Sequence, residues 1–93
     1  MDYEWDAKKN LANVGKHGFD FRLAAEVFES NTITIEDMRK DYGEKRLNTF
    51  GLWNSNIVVV ITHTNRHGII RIISFRRANK KERNIYYEYY KNE

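Results

Sequence analysis

Several short stretches of this chain carry side chains that could act on a phosphodiester. Lys16-His17-Gly18 sets a cation and a titratable imidazole beside a glycine, and Gly43-Glu44-Lys45-Arg46 sets an acid against two cations. His63 and Arg66 bracket a turn-forming Asn65-Arg66-His67-Gly68, and Arg71, Arg76, Arg83 and Tyr86 follow in the last quarter. These residue types suffice to cleave RNA without a metal, because the 2′-hydroxyl is a nucleophile tethered beside the scissile phosphate. The reaction then needs a base for that hydroxyl, cations for the charge developing on phosphorus, and an acid for the leaving 5′-oxygen. Nothing points to a metal or cofactor. There is no Walker-type loop, no GxSxG elbow and no histidine pair at helical metal spacing, and the carboxylates lack the spacing of a divalent-metal nuclease. Each stretch also has a plainer reading: a histidine capping a helix end, an exposed ion pair, a solvated loop arginine.

Charge distribution favours a polyanionic partner. Residues 1–62 carry a net charge of −2 and residues 63–93 a net charge of +5, so the whole-chain value of +3 conceals a basic C-terminal end. Between Arg71 and Arg83 six Lys/Arg face one acid, Glu82, a crowding that phosphate would relieve. The 93 residues contain no cysteine and no proline, which excludes a disulfide framework and a thiolate zinc site. With no linker-like tract and no repeat, residues 1–93 are expected to form one domain. The N-terminus, Met1-Asp-Tyr-Glu-Trp-Asp6, lacks a signal-peptide apolar segment and no apolar run approaches a membrane span, so a cytoplasmic protein without membrane contact is expected.

The elements that must position these residues follow from periodicity. Asp6 is a good N-cap for a helix with Ala7, Leu11 and Val14 on one face, ending at Gly15 or Gly18. Asp20 caps a second short helix carrying Phe21, Ala24, Ala25 and Phe28. From Asn31 the period becomes two: Thr32–Glu36, then, past a charged loop from Asp37 to Lys45, Arg46–Trp53, Ile57–Thr64 and Ile69–Arg76. Turn residues at 54–56 and 65–68 make the last three an antiparallel meander. Pairing Thr64 with Ile69 places Thr62 opposite Arg71, His63 opposite Ile70, and Phe75 on the same face as Val58 and Val60. Both sheet faces are apolar near the middle, so both should be covered. Asn79 and Glu82 have capping-box spacing, which starts a last helix at Lys80 that runs to the chain end, with Ile85, Tyr86, Tyr89 and Tyr90 on a broad packing side.

Taken together, the residues resemble a known family. Trp5-Asp6, Lys9, Asn13, Lys16-His17-Gly18, Phe21, Ala24, Val27-Phe28, Gly43-Glu44, Arg46, Gly51, His63-Thr64, Arg66, Arg71-Ile-Ile-Ser74, Arg76, Ala78, Glu82-Arg83 and Tyr86 resemble, in order and spacing, the BrnT family of type II toxins. Two positions depart from the family pattern: Phe75, where a small residue is usual between Ser and Arg, and Ala7, where proline commonly starts the helix. The resemblance implies an α+β, RelE-like fold, with N-terminal helices and a C-terminal helix on a small antiparallel sheet. It also implies a ribonuclease that arrests translation, a BrnA-like antitoxin that masks it, and contact with operator DNA only through that complex. On this basis Arg46 and Arg76 would stabilise the phosphorane-like charge and His63 or Tyr86 would handle protons. Lys16, His17, Arg66, Arg71 and Arg83 would hold the RNA backbone. Two other readings use the same arginines: a non-catalytic nucleic-acid-binding module, and an interaction domain for an acidic protein.

Overall fold

Five strands form one mixed sheet in the order β1-β5-β4-β3-β2, seen in a computed structural model that describes residues 1–91. Chain order is β1 (Asp2–Glu4), α1 (Ala7–His17), a 3-10 turn (Phe21–Leu23), α2 (Ala24–Phe28), β2 (Ile33–Glu36), β3 (Leu47–Trp53), β4 (Ile57–Arg66), β5 (Ile69–Arg77) and α3 (Lys80–Tyr90). Strands β2 to β5 pair antiparallel with their chain neighbours. β1, which the periodicity did not suggest, pairs parallel with β5 through Asp2↔Ile69 to Glu4↔Arg71. The fold class is the expected α+β, with a parallel edge strand added to the antiparallel run.

The helix starts follow from local chemistry. The Asp6 side chain accepts from the Lys8 and Lys9 amides, and Gly18 ends α1 in the left-handed conformation at φ 80°. The Asn79/Glu82 capping box is formed in both directions and opens α3 at Lys80. The last two residues of the chain, into which that helix was expected to run, lie outside the described residues.

Two layers of helix cover the sheet. On one face Phe21, Ala24 and Val27 pack against Val59, Ile61, Ile70, Ile72 and Phe75, and on the other Tyr86 and Ala78 pack against Phe50, Val58 and Val60. β4 therefore has alternate residues buried on both sides, as a central strand between two layers must. β3 is pressed against α2 at Gly51, where an added Cβ would lie 2.7 Å from Val27 Cγ1 and 3.1 Å from the Val27 carbonyl.

Two expectations are corrected. The β4–β5 hairpin is tighter than the Thr64–Ile69 pairing: Arg66 pairs with Ile69, Thr64 with Arg71 and His63 with Ile72. His67 at φ 54° and Gly68 at φ 80° supply the two positive-φ positions of a two-residue turn that matches strand twist. Beyond it the register shifts between Thr62 and His63, so Ser74 pairs with Thr62 and Ile73 is the extra residue of a β-bulge. The bulge reverses the alternation, which sends Phe75 to the α1/α2 face and Arg76 to the α3 face. The second correction concerns α1. Its buried residues are Asn10 and Asn13, whereas Leu11 is 73% and Val14 38% exposed. For Asn13 the reason is the sheet edge, since past the three residues that β1 covers β5 needs a polar partner; for Asn10 it is the 3-10 turn, whose first amide needs one too. Asn13 bonds the Phe75 backbone and the Phe19 carbonyl, while Asn10 accepts from Phe21 N–H and donates to Asp20.

Candidate functional site

Strand alternation sorts the candidate residues. Val60, Thr62 and Thr64 share a face of β4, and their partners across the ladders are Arg76, Ser74 and Arg71 on β5 and Phe50 and Asn48 on β3. Arg46 stands two residues before Asn48, so it falls on this face as well. Where α3 packs, this face is apolar through Val58, Val60, Phe50 and Tyr86. Where α3 stops, it becomes polar and basic, with Arg46, Arg71, Arg76, Asn48, Thr62, Thr64 and Ser74. A charged sheet face of this kind, opening beside the first turn of a helix, is suited to a phosphate backbone.

Arg76 is the best-defined cation of this face. Its two terminal nitrogens donate to Glu82 at 2.8 and 2.9 Å, an end-on fork that also fixes the side chain. The pair is held between strand end and helix start, because Glu82 is at the same time the capping-box acid that accepts from Asn79 N–H. Hydrogen bonding to Glu82 raises the Arg76 pKa, and the same bond lowers that of Glu82. Arg83, one residue on, donates to the Ala78 carbonyl at 3.0 Å and lines a groove of about 350 Å³ with Arg77, Tyr87, Asn56, Ile57 and Val58.

Arg46 stacks on Tyr42, with its guanidinium carbon 4.0 Å from the ring centroid. Its Nε is buried without a hydrogen-bond partner among the described residues, as is the Thr64 hydroxyl. Buried polar groups normally find partners. Arg71 is paired with Glu4 on the neighbouring β1.

The remaining candidates are dispersed. Lys16 and His17 end α1 beside the β5 edge; burial, Lys16 and Arg76 all lower the His17 pKa, which brings it within the field of Arg76. Arg66 lies at the hairpin, donating to Glu44 at 3.1 and 3.3 Å. His63 points to the opposite face, edge-on to Phe28, with Nε2 2.8 Å from the Thr49 hydroxyl. Its Nδ1 is buried with no partner at hydrogen-bond geometry among the described residues, and burial lowers its pKa to about 4 against the opposing effect of Asn65. Tyr86 is 2% exposed, its hydroxyl donates to the Asn31 carbonyl at 2.6 Å, and burial raises its pKa. Arg46, Arg71 and Arg76 thus share one face of the sheet, and the two proton-handling candidates are held elsewhere, one behind the sheet and one under α3.

Sequence reasoning missed the loop that borders this face. Asp37, with a side chain only 1% exposed, takes Arg39 through two nitrogens at 2.9 Å and Tyr42 at 3.2 Å. Its amide donates to the Arg46 carbonyl at 2.8 Å. Hydrogen bonding from Arg39 lowers the Asp37 pKa to about 2. The alternation of acid and base over residues 36–46 was the available signal, and it reads equally well as a solvated charged loop.

Comparison with known proteins gives two findings. The model of a family described as the ribonuclease toxin BrnT of type II toxin–antitoxin systems matches residues 5–82. The crystal structure of the Brucella abortus ribonuclease toxin BrnT superposes with a TM-score of 0.66 at 29% identity, covering 86% of this chain and 99% of that one. Comparison with curated protein sequences finds no match.

Proposed function

Since the chain belongs to the BrnT family of ribonuclease toxins of type II toxin–antitoxin systems, we propose that it is a metal-independent endoribonuclease whose RNA lies on the α3 side of the sheet. The observation that carries this reading is the placement of Arg46, Arg71 and Arg76 on one sheet face, beside buried polar atoms at Arg46 Nε and Thr64 Oγ1 that have no hydrogen-bond partner among the described residues. Charge stabilisation is commonly the largest single contribution to such a reaction. Arg46 and Arg76 take the charge developing on phosphorus, and Arg71, Arg83 and the α1 end at Lys16 and His17 hold the flanking backbone. Arg66 reaches it from the hairpin. The 2′-hydroxyl attacks the adjacent phosphorus and the 5′-oxygen leaves. His63 faces away and the Tyr86 hydroxyl is engaged, so solvent carries the protons. As a RelE-like single domain acting in the cytoplasm, the protein arrests translation by this cleavage. A cognate BrnA-like antitoxin neutralises it by covering the basic face, and operator DNA is bound only through that complex.

The test is incubation of antitoxin-free protein with end-labelled RNA in excess EDTA, with and without ribosomes, beside Arg46→Ala and Arg76→Ala. Each substitution is expected to reduce cleavage by about 10²- to 10³-fold and to relieve toxicity while the thermal melt stays close to wild type. RNA left intact in both conditions, yet bound with a steep salt dependence, would favour the non-catalytic module.

A further inference from the structure

The loop between β2 and β3 presents a cation that the site described above does not use. Arg39 is exposed, with 76% of its side chain open to solvent, yet it is not free to wander. Asp37 takes it side-on through Nε and Nη2, both at 2.9 Å, and also accepts from the Arg39 amide at 3.2 Å. No hydrogen bond among the described residues uses Nη1, so the end-on edge of the guanidinium, the edge that fits two phosphate oxygens, faces outward. The anchor itself is rigid: Asp37 is buried, bonded by Tyr42, and tied through its amide to the Arg46 carbonyl at the mouth of β3. An exposed arginine ordinarily forfeits side-chain entropy when it binds; here a buried carboxylate has already restricted it.

Direction matters as much as order. Arg39 lies close enough to the Arg76–Glu82 pair to favour the carboxylate of Glu82 and to oppose the protonation of Arg76. Each guanidinium has its own carboxylate, Asp37 for Arg39 and Glu82 for Arg76, and the edge of Arg39 that Asp37 leaves free can still meet an anion. A phosphate near both would be drawn to both cations.

We infer that Arg39 is a phosphate-binding residue of the RNA site, presented by Asp37 from the β2–β3 loop that is tied to Arg46, so that the strand is held from this loop as well as from the α3 face of the sheet. The inference rests on the proposed ribonuclease reading of the α3 face. It deepens that reading by assigning a second side to the site.

The test uses the full-length protein and a 2′-O-methyl RNA oligonucleotide, which cannot be cleaved, with affinity followed by fluorescence anisotropy across a salt series. Arg39→Ala is expected to lower the slope of log Kd against log salt by about 0.7, one phosphate contact on a single strand. Arg39→Lys keeps the slope, because the charge remains. Asp37→Asn, checked by circular dichroism for folding, keeps the slope and weakens binding about tenfold, since the cation survives but is no longer aimed. An unchanged slope in Arg39→Ala, beside a reduced one in Arg76→Ala, would overturn the inference and leave the α3 face standing. An unchanged affinity in a folded Asp37→Asn would overturn the presenting role. No binding by the wild type would remove the ribonuclease reading itself.

Discussion

Asn13 takes the place of a neighbouring strand for Phe75: its carboxamide donates to the Phe75 carbonyl at 2.8 Å and accepts from the Phe75 N–H at 3.2 Å. One side chain thereby satisfies both main-chain groups of a β5 residue that β1 is too short to reach. The carboxamide nitrogen also reaches the Phe19 carbonyl at 3.0 Å, which ties the segment after α1 to the same point.

Asn13→Ala is therefore expected to lose about 3 kcal/mol of stability, because it leaves buried main-chain groups unpaired, each worth about 1–3 kcal/mol. Urea denaturation measures this. A loss below about 0.5 kcal/mol, the scale of an ordinary surface change, would mean that water replaces the carboxamide without cost.

Gly51→Ala tests the contact between α2 and β3. The new methyl would sit 2.7 Å from Val27 Cγ1 and 3.1 Å from the Val27 carbonyl oxygen, and the second of these cannot rotate away. Overpacking of this kind costs about 1–3 kcal/mol, so the melting temperature should fall. A variant as stable as wild type would show that α2 can lift from the sheet freely.

His63 makes stability depend on pH in a defined direction. In the unfolded chain it takes a proton near pH 6.5, whereas in the fold burial holds it neutral down to about 4. The unfolded state therefore binds more protons between those values, and stability must fall as pH drops through them, by about 3 kcal/mol in all. In His63→Gln that slope should shrink whatever the absolute stability, leaving the smaller dependence that the lowered His17 pKa supplies with the same sign. A wild-type protein equally stable at pH 7 and pH 5 would contradict the burial of the imidazole.

Tyr86→Phe separates packing from chemistry. The hydroxyl donates to the Asn31 carbonyl and the ring stacks at a tilt against Tyr90 with centroids 5.0 Å apart. Removing the hydroxyl should cost about 1 kcal/mol of stability and leave cleavage within about threefold. General acid–base groups contribute about 10²-fold or more, so a loss of that size would assign proton transfer to Tyr86 after all.

What the sequence made legible was local chemistry. Asp6, Gly18, Asn79 and Glu82 announce helix ends through side chains that meet backbone groups within four residues, and β3 to β5 carry their own alternation. What it concealed depended on distant partners. β1 is three residues long and acidic, and becomes a strand only because β5 offers an edge. The burial of Asn13 contradicts the apolar pattern of α1 for the same reason. At the site, Arg46 and Arg76 are recognisable as arginines, but their common face depends on a bulge at Ile73 that no residue type marks. Asp37, Arg39 and Tyr42 form their network through a loop whose composition suggests only solvation.

The separation of core side chains from the partly exposed arginines also has a genetic consequence. Survivors of toxin expression can arise by unfolding the protein or by disarming it, and the two routes fall on different residues. Changes at Asn13, Gly51 or Val27 should abolish the protein together with its hold on any antitoxin. Changes at Arg46 or Arg76 should leave a folded, harmless chain. A selection for survivors, with each one then tested for folding, would separate the arginine changes from the core changes.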